Sequence, residues 1–366
     1  MRHCVGVLGA ALLIILLPAR ALCADEVETL VRGEMAAHHV PGVACLVLKD
    51  GQPVESIYAG TANLECAMPV TADTEFEIGS ITKQFTAACI LTLVEAGKVS
   101  LEDPISKYLT NTPAAWADVK VRHLLSHTSG IVNYDGLPGF ELRQRATQAE
   151  FIARLGKFPL NFPPGSAWAY SNSGFNLLGY IVENVSGQSY WQFLHTHILD
   201  PLQMTNTYDR DPQNLIPHRA NGYAWRKKTQ VWQNRDYDLT DLFSAGTIVS
   251  TVGDLAKWDA AIQGDGILSA ASKKLWWSPV VTNDGQPLTR VGHRAGSYGF
   301  GWFLDPERPH KSIWHTGVTS GFSAANQWYQ DDHLTIIILT NTDESTFGGV
   351  LADKIADYYF ASPAKK

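Results

Sequence analysis

The chain has 366 residues, of which 45% are hydrophobic and 18% are charged. This composition is ordinary for a globular protein and excludes a disordered one. The formal net charge is −7 and no basic tract occurs, so the electrostatics give no reason to expect nucleic acid or an anionic membrane as a partner. The length is sufficient for one large domain, or two interleaved lobes, with a substantial core.

The first 24 residues show the three parts of a secretory signal peptide. Residues 1–3 are short and basic, residues 5–17 are almost entirely apolar, and a cleavage site follows near Cys23. The apolar run is shorter than the roughly 20 residues that span a bilayer, and Arg20 disfavours a lipoprotein modified on Cys23. The sequence therefore predicts a signal peptide over 1–24, a periplasmic or secreted protein, and no stable membrane insertion after cleavage.

Cys45, Cys66 and Cys89 follow the predicted signal. Three is an odd number and does not indicate a disulfide framework, although one bridge is compatible with an oxidising compartment. Cys45 lies in an apolar run and Cys89 in a predicted helix, which favours buried free thiols. The sequence contains neither Cys-x-x-Cys nor His-Glu-x-x-His, so we expect no metal and no cofactor.

The hydrophobic pattern of the N-terminal third changes once, at residue 80. Residues 25–39 favour a helix, 43–48 a buried strand, 49–52 a turn, and 54–59 the returning strand of a hairpin. From residue 80 the apolar positions follow the helical period, and Gly97 is a C-terminal stop signal.

Helices and long loops are predicted for roughly 100–290, and strands return after them. The predicted C-terminal elements are strands at 298–304, 312–315, 322–329 and 334–339 and a helix at 349–360. Strands at both ends of the chain with helices between them predict an α+β fold. Its antiparallel sheet is built from both chain ends and flanked by helices, with an inserted, mainly helical lobe.

No internal repeat or change of composition marks an independent second domain. We therefore expect one catalytic domain over 25–366, with a sheet lobe at about 25–95 and 290–366 and a helical lobe at about 96–289. A cleft between two such lobes is a natural ligand site.

The stretch FEIGSITKQF, residues 76–85, places Ser80 and Lys83 three residues apart at a predicted helix start. Ser80 can be a simple N-cap, and Ser-x-x-Lys occurs by chance about once in a chain of this length. The chemical alternative is that both side chains project from one helical face. The lysine amine can then accept the serine proton if burial lowers its pKa.

Two further motifs follow in order. Tyr170-Ser171-Asn172 lies in a loop that opens a predicted helix, and His315-Thr316-Gly317 ends a strand-like run, with Ser320-Gly321 starting the next. With Ser80-x-x-Lys83, this ordered set resembles the serine β-lactamase and penicillin-binding-protein superfamily. The resemblance spans essentially the whole mature chain. It is strongest to the branch of class C β-lactamases, D,D-peptidases, D-aminopeptidases and β-lactamase-like esterases.

The resemblance implies roles for the motif residues. Ser80 would be the acylated nucleophile and Lys83 its proton partner. Tyr170 would be the second member of the base system, and its phenol, which titrates near ~10, would need Lys83 to lower its pKa or share its proton.

The remaining motif residues would bind substrate. Asn172 would hydrogen-bond a substrate amide or the Lys83 ammonium, and Thr316 would contact a substrate carboxylate. The backbone N–H groups of Ser80 and of Val318, which follows Gly317, would form the oxyanion hole.

His315 occupies a position where many β-lactamases have lysine. Histidine has an unperturbed pKa near ~6.5 and is largely uncharged at neutral pH. It should therefore hold an anionic substrate less strongly than lysine would, with a steeper dependence on pH. His-Thr-Gly resembles the D,D-peptidase and D-aminopeptidase pattern, which favours peptide or ester hydrolysis over antibiotic hydrolysis.

Other chemistry-bearing patterns are weaker. Ser126-His127 could suggest a Ser/His site, but in the resembling family this segment is a structural turn near the cleft. The absence of Gly-x-Ser-x-Gly argues against an α/β-hydrolase. His195 and His197 lie two apart on a predicted helix and face different directions. Residues 298–301 are interpreted as strand glycines rather than a phosphate loop.

The sequence therefore predicts an exported serine acyl-hydrolase that acts on D-amino-acid peptides, β-lactams or small esters. The alternatives are a β-lactamase-like carboxylesterase and a penicillin-binding receptor that is acylated without turnover. Loops at 210–240 and 280–300 should shape the cleft, and the choice among substrates and the oligomeric state are left open.

Overall fold

The computed structural model describes residues 20–361 except 139, 141–144, 289, 292 and 293. Most of the predicted signal peptide, including residues 1–19, lies outside the described residues. The boundaries of the two predicted lobes stay a prediction.

Helices cover much of the middle of the chain. They are α1 (Arg20–His38), α2 (Thr82–Glu95), α3 (Val121–Leu125), α4 (Gln148–Leu155), α5 (Asn172–Ser186), α6 (Tyr190–Leu194), α7 (Phe243–Gly246), α8 (Val252–Gln263), α9 (Ala270–Trp276) and α10 (Phe347–Ala361). Single 3₁₀ turns add Gly79–Ile81, Ile105–Lys107, Ala114–Trp116 and Thr240–Leu242, and His195–Leu199 form a π-helical turn.

Strands concentrate towards both ends. They are β1 (Gly42–Lys49), β2 (Gln52–Asn63), β3 (Met68–Pro69), β4 (Phe76–Glu77), β5 (Tyr208–Asp209), β6 (Tyr223–Arg226), β7 (Val231–Asn234), β8 (Ile248–Ser250), β9 (Arg290–Val291), β10 (Arg294–Ala295), β11 (Ser297–Tyr298), β12 (Phe303–Asp305), β13 (Ser312–Thr319), β14 (Phe322–Tyr329) and β15 (Leu334–Thr340).

The main sheet joins the two chain ends. Within the described residues its strand order is β11-β12-β13-β14-β15-β1-β2-β3, and every neighbouring pair is antiparallel. N-terminal β1 lies against C-terminal β15 in the register Val43↔Thr340 to Lys49↔Leu334. This architecture confirms the predicted α+β fold with a sheet assembled from both ends of the chain.

The central strands are buried on both faces, and their alternation creates two cores. Ile336 and Ile338 face a core that also holds side chains of α1 and α10, such as Val31 and Leu351. Ile337 belongs to the larger core on the opposite face, with side chains of α2 and α5. Because side chains alternate along a strand, one short apolar strand supports helices on both sides of the sheet.

The predicted strand at 298–304 is wrong. Two short strands, β11 and β12, occur there and pair with each other, with Ser297 opposite Leu304. Gly299 and Gly301 form the connection. Gly301 has φ of +76°, and a Cβ on Gly299 would lie 2.4 Å from the Trp276 carbonyl oxygen. A turn therefore replaces the expected strand glycines.

The motif His315-Thr316-Gly317 also differs from the prediction in its setting. It lies inside β13, which continues to Thr319, rather than at the end of a strand. Ser320 and Gly321 form the turn before β14, and Gly321 has φ of +87°.

A buried ionic network ties the segment before Ser80 to residues far along the chain. Glu77, in β4, accepts a hydrogen bond from Arg210 Nε at 2.8 Å. Arg210 also donates to Asp236 at 2.8 Å, and Arg219 donates to both oxygens of Asp236 at 2.7 Å. Burial favours neutral Asp236, but the hydrogen bonds and charges of the two arginines outweigh it and hold its pKa below the ordinary value.

The three cysteines of the predicted mature chain are free thiols. Cys45 and Cys89 are buried and Cys66 is exposed, which agrees with the expectation for the first two. In the part of the chain that the structure covers, no helix has both the length and the apolar character needed to cross a membrane.

Arg210→Met should lower the free energy of unfolding by about 3–5 kcal/mol, because it leaves the buried Glu77 carboxylate without its arginine partner. Lys107→Met is the matched control. Its ion pair with Asp103 leaves the lysine 59% exposed, and such surface pairs contribute about 0–1 kcal/mol. Urea unfolding at neutral pH measures both variants, and equal losses would contradict a supporting role for the buried network.

Candidate active site

Ser80 and Lys83 are joined directly. Ser80 lies in the 3₁₀ turn Gly79–Ile81, and α2 begins at Thr82 with Ile81 as its N-cap. The Lys83 Nζ donates to Ser80 Oγ at 3.0 Å and to the Ala245 carbonyl oxygen at 2.8 Å. The N-cap alternative for Ser80 is therefore wrong.

The Lys83 amine lies in the protein interior. Its side chain is fully buried, and burial lowers the pKa of Lys83 to about 7, while the negative charge of Asp135 opposes this shift. Near neutral pH a large fraction of the amine is consequently uncharged and able to accept a proton.

Tyr170 lies against this pair. The Lys83 Nζ is 4.9 Å from the centroid of the Tyr170 ring, and the phenol shares a hydrogen bond with Ser80. Burial raises the pKa of Tyr170, the hydrogen bond with Ser80 lowers it in part, and Asp135 raises it. The expected lowering of the Tyr170 pKa is therefore not found, and the phenol keeps its proton near neutral pH. The alternative that Lys83 and Tyr170 share a proton stays a prediction.

Asn172 is the first residue of α5 and is held by a loop residue that sequence reasoning missed. Its Nδ2 donates to Asp135 Oδ2 at 2.6 Å, and its backbone N–H donates to Asn133 Oδ1 at 2.9 Å. Its buried Oδ1 has no hydrogen-bond partner among the described residues, so the expected contact with the Lys83 ammonium is not made. Asp135 lies in a loop whose residues show no hydrophobic periodicity, so its acidic side chain is the one sequence signal that could have indicated a role.

His315 is buried rather than open to the cleft. Burial, and secondly the charge of Lys83, lower the pKa of His315 to about 3, while a hydrogen bond with the Thr316 carbonyl opposes this. The predicted neutral state at pH 7 agrees with this value. The expected steep pH dependence near neutrality is wrong, because the imidazole titrates far below it.

A directed chain of hydrogen bonds connects the second and third motifs. The Ser171 backbone N–H donates to His127 Nδ1 at 3.1 Å, and His127 Nε2 lies 3.2 Å from the Tyr298 hydroxyl. That hydroxyl lies 3.2 Å from His315 Nε2, and His315 Nδ1 lies 2.6 Å from the Thr316 carbonyl oxygen.

The two ends of this chain fix its direction. The Ser171 N–H is a donor and the Thr316 carbonyl an acceptor, so His127 donates from Nε2 to Tyr298, and Tyr298 donates to His315. Burial, followed by the charge of Lys83, also lowers the pKa of His127 well below its ordinary value. Two neutral histidines and one tyrosine therefore hold the motifs together, and the turn at 126–127 is structural.

Strand β13 is in van der Waals contact with the turn Gly79–Ile81 that carries Ser80, called the nucleophile turn after the predicted role of Ser80. A Cβ on Gly317 would lie 1.8 Å from the Ile78 carbonyl oxygen and 3.3 Å from Ser80 N, and a Cβ on Gly79 would lie 2.7 Å from Val318 N. Gly79 also has φ of +50°. The two glycines thus bring the backbone N–H groups of Ser80 and Val318 close together, with Thr316 alongside in the same strand.

Comparison with known proteins identifies the family of this chain. The model of the family described as Beta-lactamase matches residues 27–360. The chain belongs to the Beta-lactamase family. This confirms the superfamily indicated by the three motifs, and members of the family are generally serine hydrolases.

Several relatives in the Beta-lactamase superfamily are similar over most of the chain. Penicillin-binding protein 4* of Bacillus subtilis (strain 168) is 33% identical over 305 residues, which are 78% of this chain and 65% of that protein. The chain therefore spans less than two thirds of this relative's length. The octameric penicillin-binding protein homologue from Pyrococcus abyssi has a TM-score of 0.79 at 27% identity, covering 93% of this chain and 78% of that one.

A D-amino acid amidase from Ochrobactrum anthropi SV3, solved with L-phenylalanine amide, has a TM-score of 0.77 at 23% identity and covers 92% of this chain and 99% of that one. This likeness concerns the Beta-lactamase fold alone. In the described part of the chain, no group of three or more His, Cys, Asp or Glu side chains is arranged to hold a metal ion.

Gly317→Ala should destabilise the protein by about 1–3 kcal/mol or more, because the new methyl group overlaps backbone that has no room to move. Gly33→Ala in α1 is the control. No atom lies within 4 Å of its added Cβ, so replacing a helical glycine there should stabilise by up to about 1 kcal/mol. Thermal unfolding compares the two, and an unchanged midpoint for Gly317→Ala would show that β13 does not need this close approach.

Proposed function

We propose that the protein is an exported serine acyl-hydrolase that works through an acyl-enzyme on Ser80. The observation that supports this most directly is the 3.0 Å hydrogen bond between the buried Lys83 amine and Ser80 Oγ. A serine hydroxyl is a weak nucleophile, and an adjacent amine that is neutral near pH 7 activates it.

In the first half-reaction, Ser80 Oγ attacks the substrate carbonyl carbon as its proton passes to Lys83 Nζ. The new C–O bond makes a tetrahedral intermediate, and its collapse breaks the bond to the leaving group. Tyr170, which retains its proton, donates that proton to the leaving amine or alkoxide and recovers one from Lys83. Water then attacks the acyl-enzyme by the same route in reverse and releases the acid.

The developing oxyanion would be stabilised by the backbone N–H groups of Ser80 and Val318. The close backbone contacts at Gly79 and Gly317 support this proposal, since added Cβ atoms there would lie 2.7 Å from Val318 N and 3.3 Å from Ser80 N, respectively. Preorganised donors of this kind typically lower the barrier by about 3–4 kcal/mol each. Thr316, in the same strand, would contact the end of the substrate that points away from Ser80.

The substrate class we propose is D-amino-acid peptides and amides, small esters, or β-lactams. Neutral His315 supports peptide, amide or ester hydrolysis over β-lactam hydrolysis, because the position offers no positive charge for a carboxylate at neutral pH. Export rests on the three-part pattern of residues 1–24.

Ser80→Ala should abolish both turnover and covalent labelling by a fluorophosphonate probe, because the attacking oxygen is removed. Ser126→Ala is the control and should keep its labelling. Turnover is measured with a panel of four substrates: nitrocefin, a D-Ala-D-Ala peptide, a D-amino-acid amide and a short p-nitrophenyl ester. Labelling that persists in Ser80→Ala and disappears in Ser126→Ala would overturn the assignment of the nucleophile.

The same panel separates an enzyme from a receptor that is acylated without turnover. Intact-mass spectrometry of the wild type after mixing should show an adduct on Ser80 that decays while many equivalents of product form. A stoichiometric adduct that persists with each member of the panel would favour the receptor.

The rate of acylation should rise with pH through about 7 and then level off. Lys83 must be neutral to accept the serine proton, and its pKa is about 7, so protonation removes activity at lower pH. The measurement is kcat/KM for the uncharged p-nitrophenyl ester between pH 5 and 9. Activity that falls as pH rises from 6 to 8 would contradict Lys83 as the base.

A further inference from the structure

Asp135 is an exposed carboxylate at the edge of the site. Its charge acts on both Lys83 and Tyr170, and on each it favours the protonated form. It therefore lies within electrostatic reach of the reacting groups, although the mechanism above gives it no part. An exposed anion beside a catalytic serine lowers the electrostatic potential that an incoming substrate meets.

The hydrogen bonds of Asp135 orient one of its oxygens. Asn172 Nδ2 and Asn133 Nδ2 donate to the carboxylate at 2.6 and 3.1 Å, and both contacts go to Oδ2. The two amides fix the plane of the carboxylate, and no donor among the described residues is bonded to Oδ1. A carboxylate held in this way is preorganised to accept hydrogen bonds from a cation.

Asn172 supplies a second acceptor next to it. Its side chain is 9% exposed, and its Oδ1 has no hydrogen-bond partner among the described residues. A buried amide oxygen without a partner costs free energy unless a ligand or water satisfies it. Asp135 accepts a hydrogen bond from the nitrogen of the same amide. The unpaired amide oxygen of Asn172 and the Asp135 carboxylate are therefore neighbouring acceptors, and Asn172 is two residues from Tyr170 in the sequence.

Acceptors and a negative charge together select a donor with a positive charge. We propose that Asp135 and Asn172 form a subsite for the free α-ammonium group of an aminoacyl substrate. The enzyme would then cleave amides and esters of amino acids whose amine is unblocked, and remove the N-terminal residue of short peptides. This inference rests on the proposed function, because the subsite would bind the part of the substrate that is transferred to Ser80 as the acyl group.

The charge state of His315 is consistent with such a substrate. His315, in strand β13, is uncharged at neutral pH, so a negatively charged substrate end gains no ion pair from it. A substrate with a cationic amine and an uncharged amide or ester end fits both observations.

The test compares D-alanine p-nitroanilide with N-acetyl-D-alanine p-nitroanilide, which differ only in the charge and donors of the amine. We expect wild-type kcat/KM to favour the free amine by at least about tenfold, the effect of one hydrogen bond to a charged group. Asp135→Asn should reduce this ratio about tenfold or more, and Asp135→Glu should recover part of it. Asp118→Asn, at an exposed aspartate elsewhere, should leave the ratio unchanged.

A ratio of rates measured at one pH separates binding of the amine from the effect of Asp135 on Lys83, because that effect acts on both substrates alike. For an uncharged ester, Asp135→Asn should also move the pH limb of kcat/KM to lower pH. This movement would show that Asp135 acts within the site in the folded variant.

Three results with wild-type enzyme whose Ser80 is labelled would overturn the subsite and leave the proposed function standing. They are a preference for the acetylated substrate, equal rates with both substrates, and hydrolysis of neither. An Asp135→Asn variant that slows both substrates by the same factor would do the same. Failure of Ser80 to be labelled, with no hydrolysis of either substrate, would overturn both proposals.

Discussion

The site depends on the contact between Gly79 and Gly317. A Cβ on Gly317 would overlap the Ile78 carbonyl at 1.8 Å, so strand β13 lies as close to the nucleophile turn as two backbones can. The approach brings Val318 N against Gly79, next to Ser80. In the same strand, the His315 ring centroid lies 6.2 Å from that of Tyr170. Glycine is required at both positions for different reasons, because Gly79 also has a positive φ.

The burial of Lys83 is the second constraint, and it is costly for the fold. An amine removed from water loses solvation, and the protein responds by favouring its uncharged form. Two acceptors, Ser80 Oγ and the Ala245 carbonyl, hold the nitrogen in place. The same burial keeps the Tyr170 proton on its oxygen. Burial therefore acts on the two groups in opposite senses, since it favours an uncharged amine on Lys83 and a protonated phenol on Tyr170.

Periodicity and motif order predicted most of the fold and the motif residues, but not their environment. The strand at 334–339 was predictable because nearly all of its residues are apolar, whereas the strand at 298–304 was wrong because glycines with special geometry interrupt it. The pKa values of Tyr170 and His315 depend on burial by distant segments, which a local pattern does not contain. Asp135 was missed because a single loop carboxylate has no periodicity, and its importance comes only from its neighbour Asn172.

The ionic network before Ser80 joins two carboxylates, Glu77 and Asp236, to two guanidinium groups, Arg210 and Arg219. Their formal charges sum to zero, so from a few ångströms away the network is a multipole whose potential falls off steeply. It can fix the position of the nucleophile turn without shifting the proton affinity of Lys83. Asp135 differs from this network, since it is a single charge that acts on Lys83 and also holds Asn172 through a 2.6 Å hydrogen bond. Support of the turn that carries Ser80 and electrostatic tuning of Lys83 therefore come from different parts of the chain.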